Sequence, residues 1–112
     1  MNEEAPGQKL FCMVLTTVPS ESQSEVLARE IVSSGLGACV QVQPIKSFYL
    51  WKGEACAEPE WRLCIKTRRA LYARLEGFIR AHHPYEVPQI VQVPIEEGAA
   101  DYLDWVAAMT AG

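Results

Sequence analysis

No apolar run in this sequence approaches the roughly 18 residues that a membrane span needs, so the pattern predicts no membrane segment. Basic residues are scarce as well: 10 Lys and Arg stand against 14 Asp and Glu, a net charge of −4. That balance argues against a nucleic-acid surface. Four cysteines are present, Cys12, Cys39, Cys56 and Cys64, but no two are spaced as CxxC. The spacing gives neither a zinc knuckle nor a dithiol redox motif. The seven glycines form no phosphate cradle, which counts against a nucleotide site. Met1–Lys9 carries Glu3 and Glu4 with no basic region and no apolar stretch, so it reads as a frayed tail rather than a signal peptide. The expected setting is therefore the reducing cytoplasm, with free thiols that mostly serve as small core residues. The remaining residues, 10–112, suit one domain, and 49% apolar content is enough for a core.

What is there is organised around Ala38–Thr67, which reads as one long β-hairpin. Its arms are Ala38–Trp51 and Glu54–Thr67, and Lys52-Gly53 forms the turn, where Gly53 supplies positive φ. Fourteen residues per arm would reach roughly 45 Å, whereas a compact chain of this size is about 35 Å across. Pro44 and Pro59 are accordingly expected to bend or bulge the arms. Val40 and Val42 alternate with Gln41 and Gln43, but Phe48, Tyr49, Leu50 and Trp51 are apolar on both faces. Such a tip needs cover on both sides, either from a second copy of the chain or from the C-terminal helix folding back. The first reading predicts a homo-oligomer.

The flanking segments are regular. Leu10–Thr17 reads as a buried central strand. Ser20 and Gln23 make a capping box for a helix that runs to about Ser34, with Leu27, Ala28, Ile31 and Val32 inward and Gly35 at the C′ position. On the return arm Trp61, Leu63 and Ile65 share one face, and Glu60, Arg62, Cys64 and Lys66 the other. A second helix is predicted from about Arg68 to His82, with Leu71, Leu75, Phe78, Ile79 and His82 on one stripe. His83-Pro84 ends it. A strand over Gln89–Pro94 follows, and a last short helix carries Tyr102, Trp105, Val106 and Met109. The order is an α+β, ferredoxin-like βαββαβ arrangement with a C-terminal helix. Its sheet is antiparallel with the first and third strands central, and both helices lie on one face.

These residues resemble the CutA divalent-cation tolerance proteins. The resemblance is carried by Thr16-Thr17-Val18-Pro19, Leu36-Gly37-Ala38-Cys39-Val40, Ser47-Phe48-Tyr49-Leu50-Trp51-Lys52-Gly53, Lys66-Thr67, His83-Pro84-Tyr85-Glu86-Val87-Pro88 and Asp101-Tyr102-Leu103-Asp104-Trp105. It covers nearly the whole chain after residue 10. It implies a tightly packed trimer whose sheets meet around the threefold axis and whose hairpin tips, with Tyr49 and Trp51, embrace neighbours. It also implies an architecture similar to PII signalling trimers. The role it implies is tolerance of copper and other divalent metals, with animal relatives tied to membrane anchoring of an esterase; no nucleophile–base–orienter set is visible in the sequence, so an enzyme is the least favoured function.

His82 and His83 are the only histidines, and neutral imidazole is a good ligand for copper, nickel or zinc. In some CutA-like proteins copper is attributed to this His pair with a Cys at the position of Thr16. Thr16 removes that thiolate, and adjacent side chains diverge. The blander alternative packs His82 on the helix stripe and leaves His83 capping the helix end, charged in the field of the dipole. The resemblance places Cys39, Glu60, Lys66, His83, Tyr85 and Trp105 near a cleft between subunits. A Lys beside a Glu and a Cys could activate the thiol; the plainer alternative is an ion pair from Glu60 to Lys66 or Arg62. Tyr49, Trp51, Tyr85 and Trp105 could line a small-molecule pocket or simply pack an interface. Two functions follow: a trimeric metal-response protein, with Cu2+ or another divalent cation as ligand, or a PII-like trimer that takes a small ligand between subunits.

Overall fold

The computed structural model describes residues 10–110. The expected tail, residues 1–9, lies outside them. The elements are β1 (Phe11–Val18), α1 (Glu21–Ser33), β2 (Cys39–Trp51), β3 (Glu54–Arg68), a single 3₁₀ turn (Arg69–Leu71), α2 (Tyr72–Ala81), β4 (Ile90–Ile95) and α3 (Ala100–Met109). All strand pairs are antiparallel, in the order β2-β3-β1-β4. β1 and β3 are therefore central, as their apolar character predicts.

Alternation sorts the sheet into two faces. Cys12, Val14, Leu63 and Ile65 point to α1 and α2 and pack with Leu27, Ile31, Leu75 and Ile79 in the main core. The opposite face carries Met13, Leu15, Cys64, Val91 and Val93, and no one helix spans it. α3 covers only one end of it, where Val106 packs on Phe11 and Ala38.

Local chemistry sets the element ends. Ser20 Oγ accepts from the Gln23 N–H, so the N-cap forms. The Gln23 side chain accepts from the Ser20 hydroxyl instead of reaching back to the backbone, so the capping box is only half made. At the other end Gly35 has φ 77°, and the N–H groups of Leu36 and Gly35 donate to the carbonyls of Ile31 and Val32. This is a Schellman closure. Gly37 follows because the space demands it: a Cβ there would stand 2.6 Å from Ile65 Cγ2 and 2.9 Å from Ile31 Cγ2.

The hairpin differs from expectation in one respect. Its ladder runs unbroken from Cys39↔Lys66 to Trp51↔Glu54, with no bulge at either proline. Pro44 pairs with Trp61 and Pro59 with Lys46, two rungs apart. Those rungs are of the same kind, with the missing N–H turned away from the partner strand, so the ladder loses nothing. The ribbon consequently extends without a break in register, and the molecule is 49 Å long. Lys52 (φ 51°) and Gly53 (φ 83°) close the tip as a left-handed two-residue turn. β1 pairs with β3 only from Trp61 to Arg68, so the outer hairpin is a two-stranded ribbon. α3 does not fold back over the tip.

Other expectations shift at the helices. The second helix opens as 3₁₀ and ends at Ala81, leaving His82 as an exposed C-cap rather than a buried residue, although its ring still rests on Phe78 of the predicted stripe. Val32 on α1 is exposed, and on α3 the buried side is Leu103, Val106 and Thr110, while Tyr102, Trp105 and Met109 lie largely exposed.

Candidate functional site

The ribbon leaves the sheet beside the loop that follows α2, and a cleft of about 620 Å³ lies between them. Thr17, Ser47, Tyr49, Trp51, Glu60 and Tyr85 form part of its wall. Three of the expected pocket aromatics, Tyr49, Trp51 and Tyr85, are thus brought together. Trp105 is not among them; it stacks on Tyr102 of α3 at 5.7 Å.

Glu60 is the charged centre of the cleft, and it is buried at 6% exposure. A buried carboxylate needs partners. Ser47 Oγ donates to Oε1 at 2.6 Å, and the Tyr85 hydroxyl donates to Oε2 at 2.7 Å. The expected ion pair with Lys66 or Arg62 is not formed within the chain: Arg62 donates to Gln43 and Lys66 to Gln41, each at 2.8 Å. Burial, and then donation to Glu60, push the Tyr85 phenol well above its usual range, so it stays a donor at neutral pH.

The two histidines have opposite fates. Tyr85 N–H donates to His83 Nδ1 at 3.1 Å, which fixes that nitrogen as the acceptor. Nε2 therefore carries the proton and donates to the Thr17 carbonyl at 2.7 Å. Both ring nitrogens are committed, and the ring packs on Tyr85 at 4.9 Å. Burial lowers the His83 pKa from its ordinary 6.5, against the opposing pull of the Thr17 carbonyl and the Glu60 charge. The charged helix cap expected at this position is thus replaced by a neutral clasp. His82 stacks on Phe78 at 4.3 Å, and its Nδ1 pairs with the Phe78 carbonyl at 2.8 Å. Nδ1 must be the protonated nitrogen, which leaves Nε2 its lone pair in the manner of many metal-bound imidazoles.

Thr16, His82 and His83 do not make one metal site. Thr16 is fully buried and its Oγ1 has no hydrogen-bond partner; His83 has no lone pair to give. Among the described residues no group of three or more His, Cys, Asp and Glu could hold a metal ion. Cys39 does stand opposite Lys66, but Glu60 lies six residues along β3, ~20 Å away at strand rise. Within one chain the predicted cleft set therefore divides into Glu60, Tyr85 and His83 at one place, Cys39 and Lys66 at another, and Trp105 at a third. Ser47 is the residue that sequence reasoning missed. Counting rungs outward from the turn puts it diagonal to Glu60 on the same face, which was the available signal.

Comparison with known proteins agrees with this architecture. The family model described as "CutA1 divalent ion tolerance protein" matches residues 12–109. The divalent-cation tolerance protein CutA of Thermus thermophilus is 41% identical over 99 residues, covering 88% of this chain and 96% of that protein. A solved structure of that organism's protein has a TM-score of 0.88 at 40% identity, covering 91% of this chain and all of the other. The human protein CutA is 40% identical over 95 residues, 84% of this chain, which spans about half (53%) of the human chain. No helix among the described residues is long and apolar enough to cross a membrane.

Proposed function

The chain belongs to the CutA1 divalent ion tolerance family, and from that premise we propose that it acts as a homotrimer in the response to divalent metal ions. The observation that carries the assembly is the tip: Phe48 and Leu50 on one face are 75% and 76% exposed, and Tyr49 and Trp51 on the other 43% and 40%. An apolar ribbon bare on both faces is an interface in want of a partner. The half-covered sheet face and the exposed Tyr102, Trp105 and Met109 on α3 support the same reading. Sedimentation at micromolar concentration tests it. A mass of three chains is expected, and a folded single chain would overturn it.

The metal contact in this reading is His82 through Nε2. Calorimetric titration with Cu2+ should show weaker binding for His82→Ala and unchanged binding for His83→Ala in protein that remains folded. The reverse pattern would reject His82. The protein is read as a non-enzyme of the cytoplasm. Support comes from Glu60, Tyr85 and Ser47, which satisfy one another rather than activating a nucleophile, and from four cysteines present as free thiols.

A second reading is favoured by the cleft itself. A cavity of about 620 Å³ with aromatic walls and one buried carboxylate is of ligand-binding size, so a PII-like role with a small molecule between subunits fits it. Thermal-shift screening against metals, nucleotides and small acids separates the two, because the ligand of the folded state raises its midpoint.

A further inference from the structure

The charges of β3 are sorted along its length. Alternation in an unbroken register puts Glu54, Glu58, Glu60, Arg62 and Lys66 on one face of the strand, the face turned away from α1 and α2. The other face carries no charge from Ala55 to Ile65. The acids all stand on the two-stranded outer ribbon, and both cations on the part that pairs with β1. The residues beside them on the same face of β1, β2 and β4 are uncharged. We infer that the acidic half of this stripe in one copy lies along the basic half in the next, so that Glu54 and Glu58 neutralise Arg62 and Lys66 of a neighbour.

Three observations support this occupant. Arg62 and Lys66 donate to the amide oxygens of Gln43 and Gln41, which satisfies a hydrogen bond but leaves the positive charge in place. Covering this face with another copy, as the trimer reading above requires, buries both cations, and a buried cation without a counter-charge is costly. Glu60 is not spare, because Ser47 and Tyr85 hold its two oxygens. Glu54 and Glu58 are exposed on the projecting ribbon. The spacings also match. Two acids four residues apart face two cations four residues apart, ~13 Å along a strand in each case, so both pairs meet in one register. Pairing ribbon with ribbon or base with base sets like charges together, which selects against those arrangements. The contact is head to tail: each chain gives its acidic half to one neighbour and offers its basic half to the other, and the ring closes. The inference rests on the trimer reading and on no metal or ligand.

Subunit exchange tests it. Unlabelled and isotope-labelled full-length chains are mixed at physiological ionic strength, and hybrid assemblies are counted by native mass spectrometry. Glu54→Lys with Glu58→Lys, and separately Arg62→Glu with Lys66→Glu, should each exchange at least tenfold faster than the parent. The chain carrying all four changes should recover at least half of that difference on a logarithmic scale. Glu58 and Arg62 lie ~13 Å apart on one strand, beyond the ~8 Å screening length, so such recovery reports contact between copies. Glutamine at the same four positions keeps the cycle readable where a reversed pair does not fold: the fourfold variant should exchange no faster than the faster of its two halves. Glu96→Gln with Glu97→Gln, exposed acids off the stripe, should leave the rate unchanged. Parent-like exchange in both reversed pairs, additive effects in the fourfold chains, or equal acceleration by the Glu96 and Glu97 changes would overturn the inference and leave a parent of three chains intact. A parent that sediments as a single chain would overturn both.

Discussion

The Tyr85 hydroxyl donates to Glu60 across 2.7 Å, and this one bond joins the loop after α2 to the root of the hairpin. It sits between Pro84 and Pro88, which restrict the loop on either side, so the hydroxyl is held close to its bonding position before the bond forms. Tyr85→Phe removes the donor and leaves the buried carboxylate with Ser47 alone. The expected cost is about 1–3 kcal/mol, read from urea unfolding. A double-mutant cycle with Ser47→Ala should show coupling, and purely additive effects would mean that the two donors do not share one carboxylate.

Stability should fall in mild acid through His83. Its folded pKa lies below the ordinary 6.5, so the unfolded chain binds the proton more readily. The stabilisation is complete above pH 6.5 and is lost as pH drops toward the folded value. Thermal midpoints at pH 7.5 and 5.5 check this. The drop should be smaller in His83→Gln, which does not titrate. An equal drop would assign the pH dependence to other groups.

Substitutions at the ribbon tip should act on association. Trp51→Ala is expected to cost roughly 3–5 kcal/mol in the assembled protein, and Leu50→Ser should weaken assembly at least tenfold, about 1.4 kcal/mol. Sedimentation across a dilution series reads both. Assembly indifferent to either change would remove the tip from the interface.

Gly37→Ala should destabilise the chain by about 1–3 kcal/mol through overpacking, since the added carbon meets Ile65 and Ile31 inside normal contact. Gly37→Ser, which adds a further heavy atom at the same crowded point, should cost at least as much. Chemical unfolding of the two variants provides the comparison, and an alanine variant as stable as the parent would show that this corner of the core can open.

The hairpin was legible because its turn is local: Gly53 fixes the tip, and every rung then follows by counting. The same holds for α1, whose Ser20 cap and Gly35 stop are sequence-near signals. The order of strands was legible from the more continuous apolar runs of β1 and β3. The histidines were not. Their roles depend on Thr17, Phe78 and the turn of backbone at Tyr85, and adjacent identical letters carry no sign of which ring is buried. Glu60 misled for a related reason. Its charge suggested Lys66 or Arg62, neighbours on its own strand, whereas burial selected a hydroxyl 25 residues away. The apolar spacing of α3 was real, but Val106 alone of the four predicted residues is buried in the chain.

Pro44 and Pro59 stand on opposite rails of the outer ribbon, two rungs apart, and each strips its rail of an outward N–H. A stray β-segment that tried to zip onto either side would meet a gap in the donors it needs. The projecting arm can therefore be clasped through its side chains yet resists being lengthened sideways into a growing fibre.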